Sequence, residues 1–372
     1  MSRKPTYRPV VEALEQRELL AGIQAYVALG NLYVLGTPGN DFINVAQTNN
    51  QISVAGTQIA VRNSRVNSID ASSISKVIVY GYGGDDFIDL TTIKNDATIY
   101  AGAGKDMIRC GGGNVTVYDG GGFDRIFHAY PADAPFLHGE AVTDIHQGHA
   151  PVCQTLAALA EAIQQGHNFA NDIRYLGNYL YEVKLHGNLP TQKVYFDGWT
   201  TSYDPVVSGG EFWTVLMQRA RLQALGLDPA REYTQVEWDS WNQKTAGRLY
   251  SVGEALYDYT GSVSAYHAID DAGPQALQAS LAHGDFVVVQ SRSVGGISSD
   301  GVVANHVYAL LAAYFEAGVW KVRLYNPWGT NGGAMDALDP SHLAANDGII
   351  TLSWQQFTNS NNFKGYFVAT KK

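Results

Sequence analysis

Apolar positions change their period along the chain, and the change divides it. Between residues 77 and 127 they come in short β-branched groups, Val77-Ile78-Val79 and Val115-Thr116-Val117 among them, interrupted by glycine. Eleven of the 39 glycines lie between Gly81 and Gly122, so this stretch predicts short strands joined by glycine turns. From Cys153 the period lengthens. Leu156, Leu159, Ala160 and Ile163 recur at i, i+3, i+4 and i+7, which predicts an amphipathic helix with Pro151 near its first turn. Further on, the apolar runs 286–290, 306–315, 319–325 and 350–354 predict strands, and Glu316-Ala317-Gly318 reads as a turn. A hairpin centred on Glu316 makes His306 and Asn326 cross-strand neighbours.

Composition narrows the class. A chain of 372 residues exceeds one typical core and predicts two or three domains. With 35 acidic against 25 basic residues and a net charge of -10, no broad basic face is available for phosphates, and nucleic acid is excluded as an expected partner. A 45% hydrophobic content argues for packed cores, and the absence of an apolar run of 18 residues predicts no membrane span. Two cysteines, Cys110 and Cys153, exclude a disulfide-stapled mini-domain. Residues 1–23 read as a tail, 24–130 as the glycine-rich unit, 131–135 (Pro131-Ala132-Asp133-Ala134-Pro135) as a linker, and 136–372 as a second, aromatic-rich domain.

The glycine-rich unit carries a repeat. Gly36 to Asn44 (GTPGNDFIN) and Gly81 to Asp89 (GYGGDDFID) fit the nonapeptide G-G-x-G-x-D-x-U-x with one substitution each; Ala101 to Arg109 (AGAGKDMIR) and Asp119 to Phe127 (DGGGFDRIF) fit with the first glycine replaced. These repeats resemble the RTX, haemolysin-type calcium-binding repeats. The resemblance implies a parallel β-roll, a form of β-solenoid, in which two nonapeptides make one turn. Asp86, Asp106 and Asp124 then stack along one edge, and Asp41, Asp86, Asp106 and Asp124 become the expected calcium ligands. Calcium wants six to eight oxygens, which stacked turns supply as carboxylates and glycine carbonyls. A glycine-rich solenoid whose aspartates serve only its turns is the alternative.

In the second domain, Cys153 sits where a helix begins, and unpaired N–H groups there favour a thiolate. His306 beside Asn326 completes a Cys-His-Asn set, because an amide oxygen can fix the imidazole and leave its other nitrogen for the thiol. Here the sequence resembles the calpain-like group of papain-fold cysteine peptidases. DIHQGHAPVCQTLAALA (144–160), EFWTVLMQRA (211–220), GEALYDYTG (253–261), NHVYAL (305–310), VRLYNPWG (322–329) and DGIITLSWQQF (347–357) follow that family's motifs in order. The resemblance implies an α+β, two-lobed papain-like domain with lobes at about 136–262 and 263–372. It assigns Cys153 as nucleophile, His306 as base, Asn326 as its orienter, Gln147 as oxyanion donor and Trp328 as a shield, acting on protein or peptide substrates. The departures are Pro151 and Val152 before the cysteine, Gln154 after it, and Asn305 before the histidine.

The leading expectation is therefore a cysteine endopeptidase with a calcium-binding β-roll. The alternative is an inactive, calcium-stabilised adhesion module that uses the cleft to bind peptides, and acyl transfer to an amine would use the same residues. Leu14 to Ala21 resembles the LExRxLLA motif of bacterial exported proteins, which implies an extracellular or cell-surface location. Asp144 matches an aspartate of the family's first core calcium site. Gly332 stands where the second site has Glu, and no carboxylate follows until Asp336, so the peptidase domain is expected to work without calcium. His146 and His149, with His138 upstream, lack a helix to align them on a metal. A Cys110–Cys153 bridge is disfavoured because it would consume the nucleophile, and Asp197 and Asp204 read as ordinary loop residues.

Overall fold

The computed structural model describes residues 22–128, 133–329 and 348–371, apart from 137–138, 202, 206, 208–210, 232, 272, 294–295, 299 and 301. The motif at 14–21, Pro131, Ala132, His138, Gly332 and Asp336 lie outside the described residues.

In the N-terminal part the chain passes back and forth between two sheets. Asn31–Leu35, Lys76–Tyr80, Asp96–Tyr100 and Val115–Tyr118 lie parallel in one; Phe42–Thr48, Phe87–Asp89, Met107–Arg109 and Arg125–Phe127 lie parallel in the other. Strand alternation sends Val77, Val79, Ile99 and Val117 inward from the first sheet and Ile43, Ile88, Ile108 and Ile126 inward from the second, where all are buried in one core. Outside, Tyr80, Tyr100 and Tyr118 stack in register with centroids 4.7 and 4.9 Å apart. Successive turns press so closely that a Cβ on Gly104 or Gly122 would strike the carbonyl oxygen of Gly84 or Gly104, and both residues also need positive φ. Four short strands between Gln51 and Asp70 form an insertion on this coil.

The border expected at 131–135 is not a clean one. Trp199–Thr201 pairs antiparallel with Arg125–Phe127, so chain from well beyond the linker completes the second sheet. An unpaired strand edge leaves a row of backbone groups to satisfy, and this pairing satisfies them.

The C-terminal part is built on six antiparallel strands in the order Ser264–Ala268, Phe363–Ala369, Phe286–Ser291, Val307–Glu316, Val319–Tyr325 and Ile349–Ser353. Phe286 and Val288 face one core, with α1 (Cys153–Gln164), α2 (Trp213–Ala224) and α4 (Val252–Thr260) against it; Val287 and Val289 face another that includes Leu277 of α5 (Pro274–His283) and Phe357 of α6 (Trp354–Phe357). Helix α3 (Gln235–Lys244) packs apart from both through Trp238. The 136–262 segment also holds an antiparallel sheet that its apolar pattern did not announce: Ile173–Gly177, Leu180–Val183 and Gln192–Tyr195.

Helix α1 departs from the expected amphipathic pattern, being buried on every side from Gln154 to Ala162. A helix enclosed all round has to partner its polar side chains. Gln154 donates to the Leu249 carbonyl at 2.8 Å, Thr155 accepts from Arg221 at 2.8 Å, and Glu161 accepts from the Val287 N–H at 3.0 Å. Among the described residues, no helix is long and apolar enough to cross a membrane.

Candidate active site

Cys153 is the first residue of α1 and is half-buried. The opposite wall is the start of the Val307–Glu316 strand: the Val307 N–H faces the sulfur, as do the amides of Gln154 and of Cys153 itself. Those amides favour the thiolate, but burial outweighs them and pushes the thiol up to about 11. The thiol donates to Gln154 Oε1 at 3.5 Å.

His306 and Asn326 flank the hairpin. The turn falls at Ala317 and Gly318, both with positive φ, rather than at Glu316, and a bulge interrupts pairing between Leu310 and Ala312. Ala309 pairs with Tyr325, so continuing that register sets Tyr308 opposite Asn326 and His306 one diagonal step away on the same face. The expected direct opposition is corrected, yet the side chains meet, with His306 Nε2 2.7 Å from Asn326 Oδ1. The same Oδ1 accepts the Trp328 N–H at 3.0 Å, which fixes it as the acceptor and makes His306 Nε2 the donor. Nδ1 therefore carries the free lone pair. The Trp328 ring lies 4.6 Å from the His306 ring, centroid to centroid, and His306 and Asn326 are both buried. Burial lowers the imidazole to about 4 despite the supporting Asn326 bond. At neutral pH this resting site thus holds a neutral thiol and a neutral imidazole.

Three contacts fasten the segment before Cys153 to Tyr325 and the Asn326-Pro327-Trp328-Gly329 turn that follows it. Tyr325 Oη donates to the Ile145 carbonyl at 2.7 Å, the Gln147 N–H donates to Pro327 O at 2.8 Å, and the His146 ring lies against Gly329, where any Cβ would collide with it. Gln147 is buried, and its side-chain amide donates to the Ala150 carbonyl at 2.6 Å while its Oε1 has no hydrogen-bond partner among the described residues. In this state the amide expected to hold an oxyanion is engaged inside its own loop. Gln154, one of the departures from the family pattern beside the cysteine, is the acceptor for the thiol.

The four aspartates of the repeats come into one row. The Asp41 N–H donates to Asp86 Oδ1 at 2.8 Å, the Asp86 N–H to Asp106 Oδ1 at 2.8 Å, and the Asp106 N–H to Asp124 Oδ1 at 2.7 Å. Asp86 Oδ2 and Asp106 Oδ2 are buried and find no hydrogen-bond partner among the described residues. Another oxygen lies beside Asp86 Oδ2: a Cβ on Gly81 would strike both that atom and the Ala101 carbonyl oxygen. Burial, with the neighbouring carboxylates adding to it, pushes Asp86 and Asp124 up to about 7. An all-oxygen donor set with orphaned carboxylate oxygens fits a hard cation such as calcium.

Other candidates fall elsewhere. Asp204 is no ordinary loop residue: it is buried and takes Nε and an Nη of Arg219 on α2 at 2.7 and 2.6 Å, while accepting the Thr201 N–H at 2.8 Å. Asp144 accepts the Ala141 N–H at 2.6 Å. His146 Nε2 lies 2.8 Å from the Thr143 carbonyl, and His149 lies 3.4 Å from Asp119, so these two histidines do not converge. Cys110 is a free thiol buried in the coil. Compared with known proteins, the chain matches no family model and no curated protein sequence.

Proposed function

We propose that this chain is a cysteine endopeptidase of the calpain-like, papain-fold kind, carrying a calcium-binding β-roll and working outside the cell or on a bacterial surface. The observation that carries the reading is the buried His306–Asn326 bond of 2.7 Å under Trp328, one residue from the amide that faces the Cys153 sulfur. The export element of the proposal rests on the motif-like run Leu14 to Ala21 alone.

Each step has a group to perform it. Cys153 Sγ attacks the carbonyl carbon of a peptide bond as its proton passes to His306 Nδ1, so the neutral resting pair needs no prior ionisation. Charge develops on the carbonyl oxygen, where the Cys153 N–H and the Gln147 amide stabilise it once Gln147 exchanges the Ala150 carbonyl for the oxyanion. The imidazolium then gives its proton to the leaving amine, which departs as the C–N bond breaks. Water, deprotonated by the same nitrogen, cleaves the thioester and restores the thiol. Asn326 holds the ring throughout, and Trp328 keeps water from that hydrogen bond.

A second reading has its own observations: the thiol bonded to Gln154 and the Gln147 amide bonded to Ala150 also suit a silent peptide-binding cleft. A peptidyl epoxide separates the two. A peptidase is labelled at Cys153, and labelling stops on acid denaturation; a silent cleft binds the same peptide and leaves the sulfur unmodified.

A further inference from the structure

Away from the cysteine, two imidazoles and a carboxylate converge. His167 Nε2 lies 2.7 Å from Asp172 Oδ2, and His186 Nε2 lies 3.1 and 3.2 Å from the two Asp172 oxygens. The donor atoms of the three residues all lie within 4.8 Å of one another. The spacing of five and fourteen residues matches no ligand motif, which is why the sequence gives no warning of the cluster.

We propose that His167, Asp172 and His186 form a binding site for a divalent transition metal ion of the zinc type, with a fourth position open to water.

Three features support it beyond proximity. The backbone at every donor is tied down before any ion arrives: the His167 N–H closes the end of α1 on the Ala162 carbonyl at 2.9 Å, the Asp172 carbonyl accepts the Lys184 N–H at 2.8 Å, and the His186 N–H donates to the Asp258 carbonyl at 2.7 Å. The carboxylate is at the bottom of the group, with a side chain 4% exposed, while the imidazoles are 20% and 23% exposed, which leaves a solvent side for the ion to approach and for water to complete its shell. The donor chemistry is selective. Ligands at about 2.0–2.1 Å from a tetrahedral zinc stand roughly 3.3 Å apart, close to the 2.7 and 3.1 Å between the carboxylate and the two imidazole nitrogens. Calcium or magnesium would find one carboxylate where it wants six or more oxygens. An ion here joins the end of α1 to the His186 segment, whose N–H is bonded to the Asp258 carbonyl of α4, and so braces the helix that presents Cys153 at its other end. The proposal is independent of the peptidase reading.

The test uses the full chain as Cys153→Ala, which removes the accessible thiol, with calcium present to occupy any all-oxygen site. Zinc titrated by calorimetry is expected to bind one equivalent. His167→Ala and His186→Ala are each expected to weaken that binding at least about tenfold through loss of one nitrogen ligand. His186→Gln serves where alanine disturbs folding, checked by circular dichroism. X-ray absorption at the zinc edge on the unsubstituted chain, loaded with one equivalent, needs no variant and is expected to show two imidazoles. Absence of stoichiometric zinc binding, an affinity unchanged by either histidine substitution, or a coordination shell without paired imidazoles would overturn the site and leave the trio as a hydrogen-bonded cluster.

Discussion

The state of the Cys153 thiol gives a prediction with a worked magnitude. Burial sets the thiol at about 11 and the neighbouring imidazole at about 4, so between pH 5 and 10 neither group changes charge appreciably in the resting protein. Alkylation by iodoacetamide follows the thiolate fraction, which is about one in ten thousand at pH 7 and grows about tenfold for each pH unit below the pKa. The rate at Cys153 should therefore climb about a hundredfold between pH 7 and 9 by the same relation, without an acidic plateau. The assay is timed alkylation at several pH values, read by mass spectrometry on the peptide that contains Cys153. Cys110 supplies an internal control: it is buried in the coil and pushed up to about 12, so it should react only after denaturation. A flat, fast rate from pH 5 to 8 would refute the reasoning, because it would mean that a thiolate–imidazolium pair already exists and that burial does not dominate.

Asp258→Asn should lower unfolding stability by about 3–5 kcal/mol in denaturant titration, the cost of breaking a buried ion pair, since Asp258 is fully buried between Arg221 at 3.0 Å and Arg248 at 2.5 Å. Calcium should raise the melting temperature of the full chain, and Asp106→Asn should lose most of that rise because Asp106 is bonded to a neighbour on each side; an equal shift in wild type and variant would remove the aspartate row from calcium binding. Gln147→Ala should reduce kcat about 10²–10³-fold with little change in KM, the usual cost of one oxyanion donor, and a pure KM effect would place its amide elsewhere.

Much of the arrangement was legible because it rests on short-range regularities. The offsets of 20 and 18 residues between Asp86, Asp106 and Asp124 are the offsets at which the strands pair. The hairpin was legible too, but not its register, because Ala317 takes a positive φ that its residue type does not advertise, and a bulge then slips the ladder. The burial of α1 on all sides was hidden behind an ordinary heptad-like pattern: its polar residues look solvent-facing until Leu249, Arg221 and Val287 arrive from distant parts of the chain. Asp204 was misread for the same reason, since Arg219 lies fifteen residues away on another element. Nothing local marks His167, Asp172 and His186 either, because folding alone unites them.

The measurement that bears most directly on the central claim is hydrolysis itself. The purified full chain, incubated with an unfolded protein substrate such as casein, is examined for new peptide termini by mass spectrometry beside Cys153→Ala and His306→Ala, each checked for native folding. Cleavage by the wild type that vanishes in both variants is the predicted result, since nucleophile and base act as one unit. Cleavage that persists undiminished in Cys153→Ala, or a folded wild type that cleaves nothing while still binding peptide, would contradict the peptidase account.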